Sequence, residues 1–127
     1  MVLILNKPNS PAQKITRFRV VASLIAIIIF CLGLLPASSE IFDDDLHFVA
    51  HFAVYALLAV GLGLGWRNIK GIHLWLMVSF VGVLQEVAEM VTHHHHFELE
   101  DALTDSLGVL AGVLVLRWLS GIVGRQK

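Results

Sequence analysis

The charged residues of this chain are sorted by sign around four apolar stretches. All nine lysine and arginine residues lie in the N-terminal segment, between the second and third stretches, or near the C-terminus. All ten aspartate and glutamate residues lie in the other two connecting segments or just inside the helix ends that adjoin them. Because 57% of the residues are hydrophobic and only 15% are charged, a lipid bilayer is the expected solvent.

The apolar stretches cover residues 20–35, 46–66, 73–91 and 102–122. Each is close to the roughly 20 residues that a helix needs to cross the hydrocarbon core, and none alternates as a barrel strand would. The sequence therefore predicts an all-α polytopic membrane protein with four transmembrane helices in an up-down bundle. The expected organisation is a cytoplasmic tail over 1–19, a membrane domain over 20–122 and a second cytoplasmic tail over 123–127.

The positions of lysine and arginine predict the orientation. Such residues favour the cytoplasmic side, so both termini are expected there and the acidic connections on the opposite face. A rival interpretation of the first stretch is a cleaved secretory signal peptide, because small residues at Ala37, Ser38 and Ser39 follow it. The single cysteine, Cys31, excludes an intramolecular disulfide, and nothing in the composition supports nucleic-acid binding.

Three of the predicted helices carry pairs of ionisable residues at positions three or four apart, a spacing that places each pair on one helical face. The pairs are His47 with His51, Glu86 with Glu89, and Asp101 with Asp105. An up-down bundle brings these three helix ends to the same leaflet, within roughly 10 Å of its boundary at about 1.5 Å per residue. If the paired faces point inward, they form one polar site.

Histidine is the only basic residue type near these carboxylates, so they must bind protons, protonated histidines, a metal ion or a cationic ligand. A mixed set of imidazoles and carboxylates suits zinc, manganese or iron. The candidate ligands of a divalent metal are His51, Glu86, Glu89, Asp101 and Asp105. A plainer interpretation is that acids at helix starts are caps, that His47 is a solvated boundary residue, and that the histidine run 93–96 binds metal adventitiously.

Gly108 and Gly112 form a small-xxx-small pattern in the fourth stretch. Such a pattern lets a second helix approach closely, so these glycines are predicted to serve helix packing.

The chain resembles the VanZ-like family of small bacterial membrane proteins over about residues 45–112. His51, Phe52 and Tyr55 match the second half of that family's Asp-Lys-x-x-His-Phe-x-x-Tyr motif, although His47 and Phe48 stand where its Asp-Lys is expected. A shifted alignment places Asp43 and His47 on the motif's acid and histidine but loses the tyrosine.

The family's later motifs are matched in the same order. Glu86 fits the glutamate of its Glu-x-x-Gln pair, with Glu89 in place of the glutamine. Asp101, Gly108 and Gly112 fit its final Asp-x-x-x-Asn-x-x-Gly-x-x-x-Gly motif, with Asp105 in place of the asparagine, and His95 replaces the arginine of the preceding loop. These departures make the site more anionic than the family pattern.

The resemblance implies a multi-pass protein of the bacterial plasma membrane with a cell-envelope role, in which tolerance of glycopeptide antibiotics is one expectation. The expected site is an outward-facing polar pocket for an envelope ligand, formed by His51, Tyr55, Glu86, Glu89, His95, Asp101 and Asp105.

Two other functions stay open. One is a metal-dependent hydrolase acting on a lipid-linked substrate, with a metal-bound water as nucleophile and a glutamate as general base. The other is a structural helical partner of another membrane protein, which it would contact through Gly108 and Gly112.

Overall fold

A computed structural model of the chain describes residues 10–33, 44–94 and 96–125. Within these ranges it has four helices and no strand: α1 Pro11–Gly33, α2 Asp44–Gly65, α3 Gly71–His93 and α4 Leu99–Arg125. All four are long and apolar enough to cross a membrane. The predicted all-α architecture is confirmed, whereas the side of the membrane on which each terminus lies stays a prediction.

Helix α1 begins at Pro11, well before the predicted start at residue 20. The Ser10 amide donates to Gln13 Oε1 at 3.0 Å, and the Gln13 amide donates to Ser10 Oγ at 3.3 Å. This reciprocal capping box satisfies two backbone donors, and proline suits the first helical position. Much of the predicted tail 1–19 is therefore helical. The proposed cleavage residues 37–39 lie outside the described residues.

Helix α1 packs antiparallel against α2. Ala22 is buried at this contact, and a Cβ added to Gly61 would lie 3.6 Å from Ala22 Cβ. Arg19 Nε donates to the Gly65 carbonyl at 2.8 Å, and its guanidinium lies 5.4 Å from the centre of the Trp66 ring. Arg19 thus satisfies a carbonyl at the C-terminal end of α2, which would otherwise lack a partner in the helix.

Helices α2 and α4 run parallel and form the most extensive contact of the bundle. A Cβ on Gly108 would collide with the carbonyl oxygen of Phe52, and one on Gly112 would lie 2.5 Å from that of Ala56. The backbones can approach this closely only because both positions lack a side chain. The two glycines therefore face α2 of the same chain.

Helix α3 packs antiparallel against α4. The Trp75 indole N–H donates to the Ser106 carbonyl at 3.1 Å, and the Ser79 hydroxyl donates to Ser106 Oγ at 3.2 Å. The apolar core between α2, α3 and α4 is small, as expected where lipid solvates the outer faces. It consists of Tyr55, Leu58, Ala59, Leu74, Val78, Val109 and Val113.

These contacts define two ends of the bundle. The acidic end holds the start of α2, the end of α3 and the start of α4, with Asp45, Glu89 and Glu100 among its residues. The basic end holds the start of α1, the α2–α3 connection and the end of α4, with Arg19, Arg67 and Arg117.

Replacing Gly108 with alanine is expected to lower the free energy of unfolding in detergent by about 1–3 kcal/mol, because the new methyl group forces α2 and α4 apart. The matched control is Gly121→Ala in the same helix, where an added Cβ meets nothing within 4 Å. Denaturant unfolding followed by circular dichroism measures both. Equal stability of the two variants would contradict the close α2–α4 contact.

Candidate functional site

Five ionisable side chains from three helices meet near the acidic end. This polar cluster consists of His47 and His51 of α2, Glu86 of α3, and Asp101 and Asp105 of α4. At about 1.5 Å per residue, all five lie within roughly 10 Å of a helix end. In helices that cross a bilayer, this position corresponds to the depth where the acyl chains of a leaflet meet its headgroups.

Two histidine–aspartate pairs join α2 to α4. His47 Nε2 lies 3.0 Å from Asp101 Oδ2, and His51 Nδ1 lies 2.8 Å from Asp105 Oδ1. Both pairs span 54 residues, as two parallel helices in a constant register require. The deeper pair is more enclosed: the side chains of His51 and Asp105 are 14% and 0% exposed, against 27% and 5% for His47 and Asp101.

Glu86 brings the third helix into the cluster. Ligand atoms of His51, Glu86 and Asp105 all lie within 4.8 Å of one another, and the same limit holds for His47, His51 and Asp101. His51 belongs to both groups of potential ligands. Imidazole and carboxylate from facing helices are the ligands with which helical bundles build metal centres, so the arrangement fits a divalent transition metal.

Three buried carboxylate oxygens of the cluster have no hydrogen-bond partner among the described residues: Glu86 Oε1, Asp101 Oδ1 and Asp105 Oδ2. A buried polar atom without a partner costs about 1–3 kcal/mol, and more when it is charged. The two histidine–aspartate bonds therefore leave the cluster incomplete as a hydrogen-bond network. It has free capacity for protons or for a cation.

A glycine of α3 allows this helix to reach the deeper pair. A Cβ on Gly82 would lie 2.9 Å from Asp105 Oδ2 and 3.1 Å from Asp105 Cβ. Asp105 is thus enclosed by α3 on one side and by His51 on the other, which explains why it is fully buried. Gly82 was not among the predicted site residues, because an isolated glycine in an apolar stretch carries no chemical signal.

A series of hydrogen bonds that runs from Tyr55 through Gln85 to Glu89 adjoins the polar cluster. The Tyr55 hydroxyl donates to Gln85 Oε1 at 2.8 Å, and Gln85 Nε2 donates to Glu89 Oε1 at 3.0 Å. Tyr55 and Gln85 are buried. Sequence reasoning missed Gln85, although a lone amide in an apolar stretch, four residues before Glu89, is a signal for an interhelical hydrogen bond.

The structure brings most of the predicted site residues together. His51, Glu86, Asp101 and Asp105 are all in the polar cluster. Tyr55 and Glu89 lie in the adjoining series of hydrogen bonds. Glu89 belongs to neither group of potential metal ligands among the described residues.

Three histidines outside the predicted site, His47, His94 and His96, are described near the acidic end. His47, interpreted as a solvated boundary residue, is partly exposed near the start of α2, and it also contacts Asp101. His94 and His96 are exposed and belong to neither ligand group. His95 and Asp43 lie outside the described residues.

Comparison with known proteins gives no assignment. No protein-family model, no curated protein and no solved structure matches this chain.

Substitutions of Glu86 and Gln85 test whether the cluster contains a buried carboxylate without a hydrogen-bond partner. Glu86→Met removes a buried carboxylate with an unpartnered oxygen, so the metal-free protein is expected to gain about 1–3 kcal/mol in unfolding free energy. Gln85→Met leaves the Tyr55 hydroxyl without its acceptor, so a loss of about 1–3 kcal/mol is expected. Denaturant unfolding in detergent with a chelator measures both. A loss in both variants would show that Glu86 belongs to a completed structural network.

Proposed function

We propose that this is a VanZ-like multi-pass protein of a bacterial plasma membrane, which acts on a cell-envelope component at the outer leaflet through a divalent metal ion held by the polar cluster. The observation that carries the proposal is the set of three buried, unpartnered carboxylate oxygens beside two imidazoles. A cation held by the two histidine–aspartate pairs would lie beside Glu86 and offset the charge of all three carboxylates.

A purely structural role explains the cluster less well. The two histidine–aspartate pairs alone would join α2 to α4, and Glu86 would add only an uncompensated buried acid. Buried ion pairs can often be replaced by apolar residues at no cost in stability, so burial of this many ionisable groups favours a chemical role. Gly108 and Gly112 already contact α2, so a partner protein would have to bind another face of α4.

The reaction class we propose is hydrolysis of a lipid-linked substrate. Glu86 is the one carboxylate of the polar cluster without a hydrogen bond to a histidine, which suits it to act as general base. A bound metal would lower the pKa of its water ligand. With the metal held by the histidine–aspartate pairs, Glu86 would accept the proton of the attacking water, whose oxygen would form the new bond to a phosphorus or carbonyl carbon. Glu86 would then return that proton to the departing oxygen as its bond breaks.

The first test is the metal content of the detergent-purified protein. Wild type is expected to hold about one zinc, manganese or iron ion per chain, and His51→Ala to hold none, because His51 belongs to both ligand groups. His73→Ala, an exposed histidine near the opposite end of α3, is the matched control and should keep the ion. Elemental analysis after dialysis against chelator-treated buffer gives the stoichiometry.

A second variant separates the polar cluster from the histidine run 93–96. Its four histidines are replaced by glutamine, and the ion is expected to remain. Loss of metal in this variant, with retention in His51→Ala, would overturn the proposal. The envelope role is tested in cells: wild-type protein should raise the teicoplanin concentration that stops growth, whereas His51→Ala and Glu86→Ala should not. Equal protection by both variants would refute that role for the cluster.

The proposed orientation places both termini in the cytoplasm and the polar cluster towards the outside. Its support is the location of lysine and arginine at the basic end. In a Cys31→Ser background, His96→Cys is expected to react with a membrane-impermeant thiol reagent on intact cells, and Asn68→Cys only after permeabilisation. Gel-shift labelling measures both. The reverse pattern would place the polar cluster on the cytoplasmic side.

A further inference from the structure

A cavity of about 560 Å³ lies at the basic end of the bundle, far from the polar cluster. It is bounded by the end of α2, the α2–α3 connection, the start of α3 and the second half of α4. Its volume is in the range of pockets that hold small molecules, about 300–1,000 Å³. Most of its wall is apolar, with Leu74, Leu116 and Val123 among the lining residues.

Two arginines form the charged part of the cavity wall, Arg67 of the α2–α3 connection and Arg117 of α4. Neither makes an ion pair or a hydrogen bond within the described part of the chain, where both ion pairs involve histidine at the acidic end. Arg19, by contrast, is held by the Gly65 carbonyl and the Trp66 ring. The two guanidinium groups of the cavity are therefore available to a ligand.

The start of α3 adds to this positive charge. A Cβ on Gly71, the first residue of α3, would lie 3.8 Å from Arg117 Nε, so this arginine adjoins the helix N-terminus. The N-cap residue Lys70 makes no side-chain capping bond. The positive end of the helix dipole and the guanidinium thus act on the same small volume.

We infer that this cavity binds one anionic phospholipid from the leaflet at the basic end, with its phosphate on Arg67 and Arg117 and acyl-chain carbons against the apolar wall. Basic pockets between transmembrane helices are suited to anionic headgroups. The apolar wall favours a lipid over a free anion, because a small anion would leave that surface exposed to water. The site is separate from the polar cluster and does not depend on the proposed metal.

The test uses the full-length protein in a neutral detergent, with phosphatidylglycerol, phosphatidylcholine or inorganic phosphate as the added probe. Native mass spectrometry is expected to show about one phosphatidylglycerol per chain, with affinity about 30-fold lower in the Arg67→Gln, Arg117→Gln double variant. The matched control is Lys14→Gln with Arg17→Gln, which removes the same charge from exposed positions of α1 and should bind as wild type does.

A third variant tests the apolar part of the cavity while both arginines remain. Gly124 lines the cavity, and an added Cβ there meets nothing within 4 Å, so Gly124→Phe adds a large side chain at the cavity wall without a clash at its Cβ. It is expected to weaken phosphatidylglycerol binding at least tenfold with an unchanged unfolding temperature in lipid-free detergent.

Three results would overturn the inference. One is an equal loss of binding in the Lys14, Arg17 control, which would mean general attraction to a basic surface. Another is binding of phosphatidylcholine as tight as that of phosphatidylglycerol. The third is binding of inorganic phosphate with the affinity of the lipid, which would make the cavity a site for a free anion.

Discussion

The close approach of α2 and α4 is the contact on which the rest of this structure depends. In lipid, apolar surface gains little from contact with another helix, so packing of small residues and interhelical hydrogen bonds must hold a bundle together. Gly108 and Gly112 allow the first, since their faces touch the α2 backbone at Phe52 and Ala56. The same parallel register brings His51 to Asp105. The register of α2 against α4 therefore determines both the packing of these helices and the geometry of the candidate site.

The two ends of the bundle use their charges in opposite ways. At the acidic end, carboxylates are buried, and within the described ranges histidine is the only basic side chain beside them, so ionisable groups are concentrated where solvation is poor. At the basic end, Arg19 completes the fold, while Arg67 and Arg117 have no partner among the described residues. Sorting of charge by sign is the basis of the expected orientation in the membrane, and it also separates the proposed cation site from the proposed anion site.

The number and type of helices could be predicted because the bilayer imposes a length and forbids unpaired backbone groups. Spacing of three or four residues also identified His51, Glu86, Asp101 and Asp105, since residues on one face at one depth can meet. Hydropathy did not reveal how each helix is rotated about its axis, because every outer face of the bundle is apolar. The role of Gly82, the inward position of Gln85 and the pairing of His47 with Asp101 depend on that rotation. The early start of α1 depends on a local capping box instead.

Helix α3 has a special place in this arrangement. The pairs His47–Asp101 and His51–Asp105 tie α2 directly to α4, whereas α3 supplies one ionisable residue of the polar cluster, Glu86, and contacts α2 far less than α4 does. Tyr55 and Gln85 are its hydrogen-bonded link to α2 at this depth. An ion held by His51 and Asp105 would lie beside Glu86 and attract its carboxylate. In the proposed mechanism, occupancy of the site would therefore also stabilise the position of α3, which carries the general base.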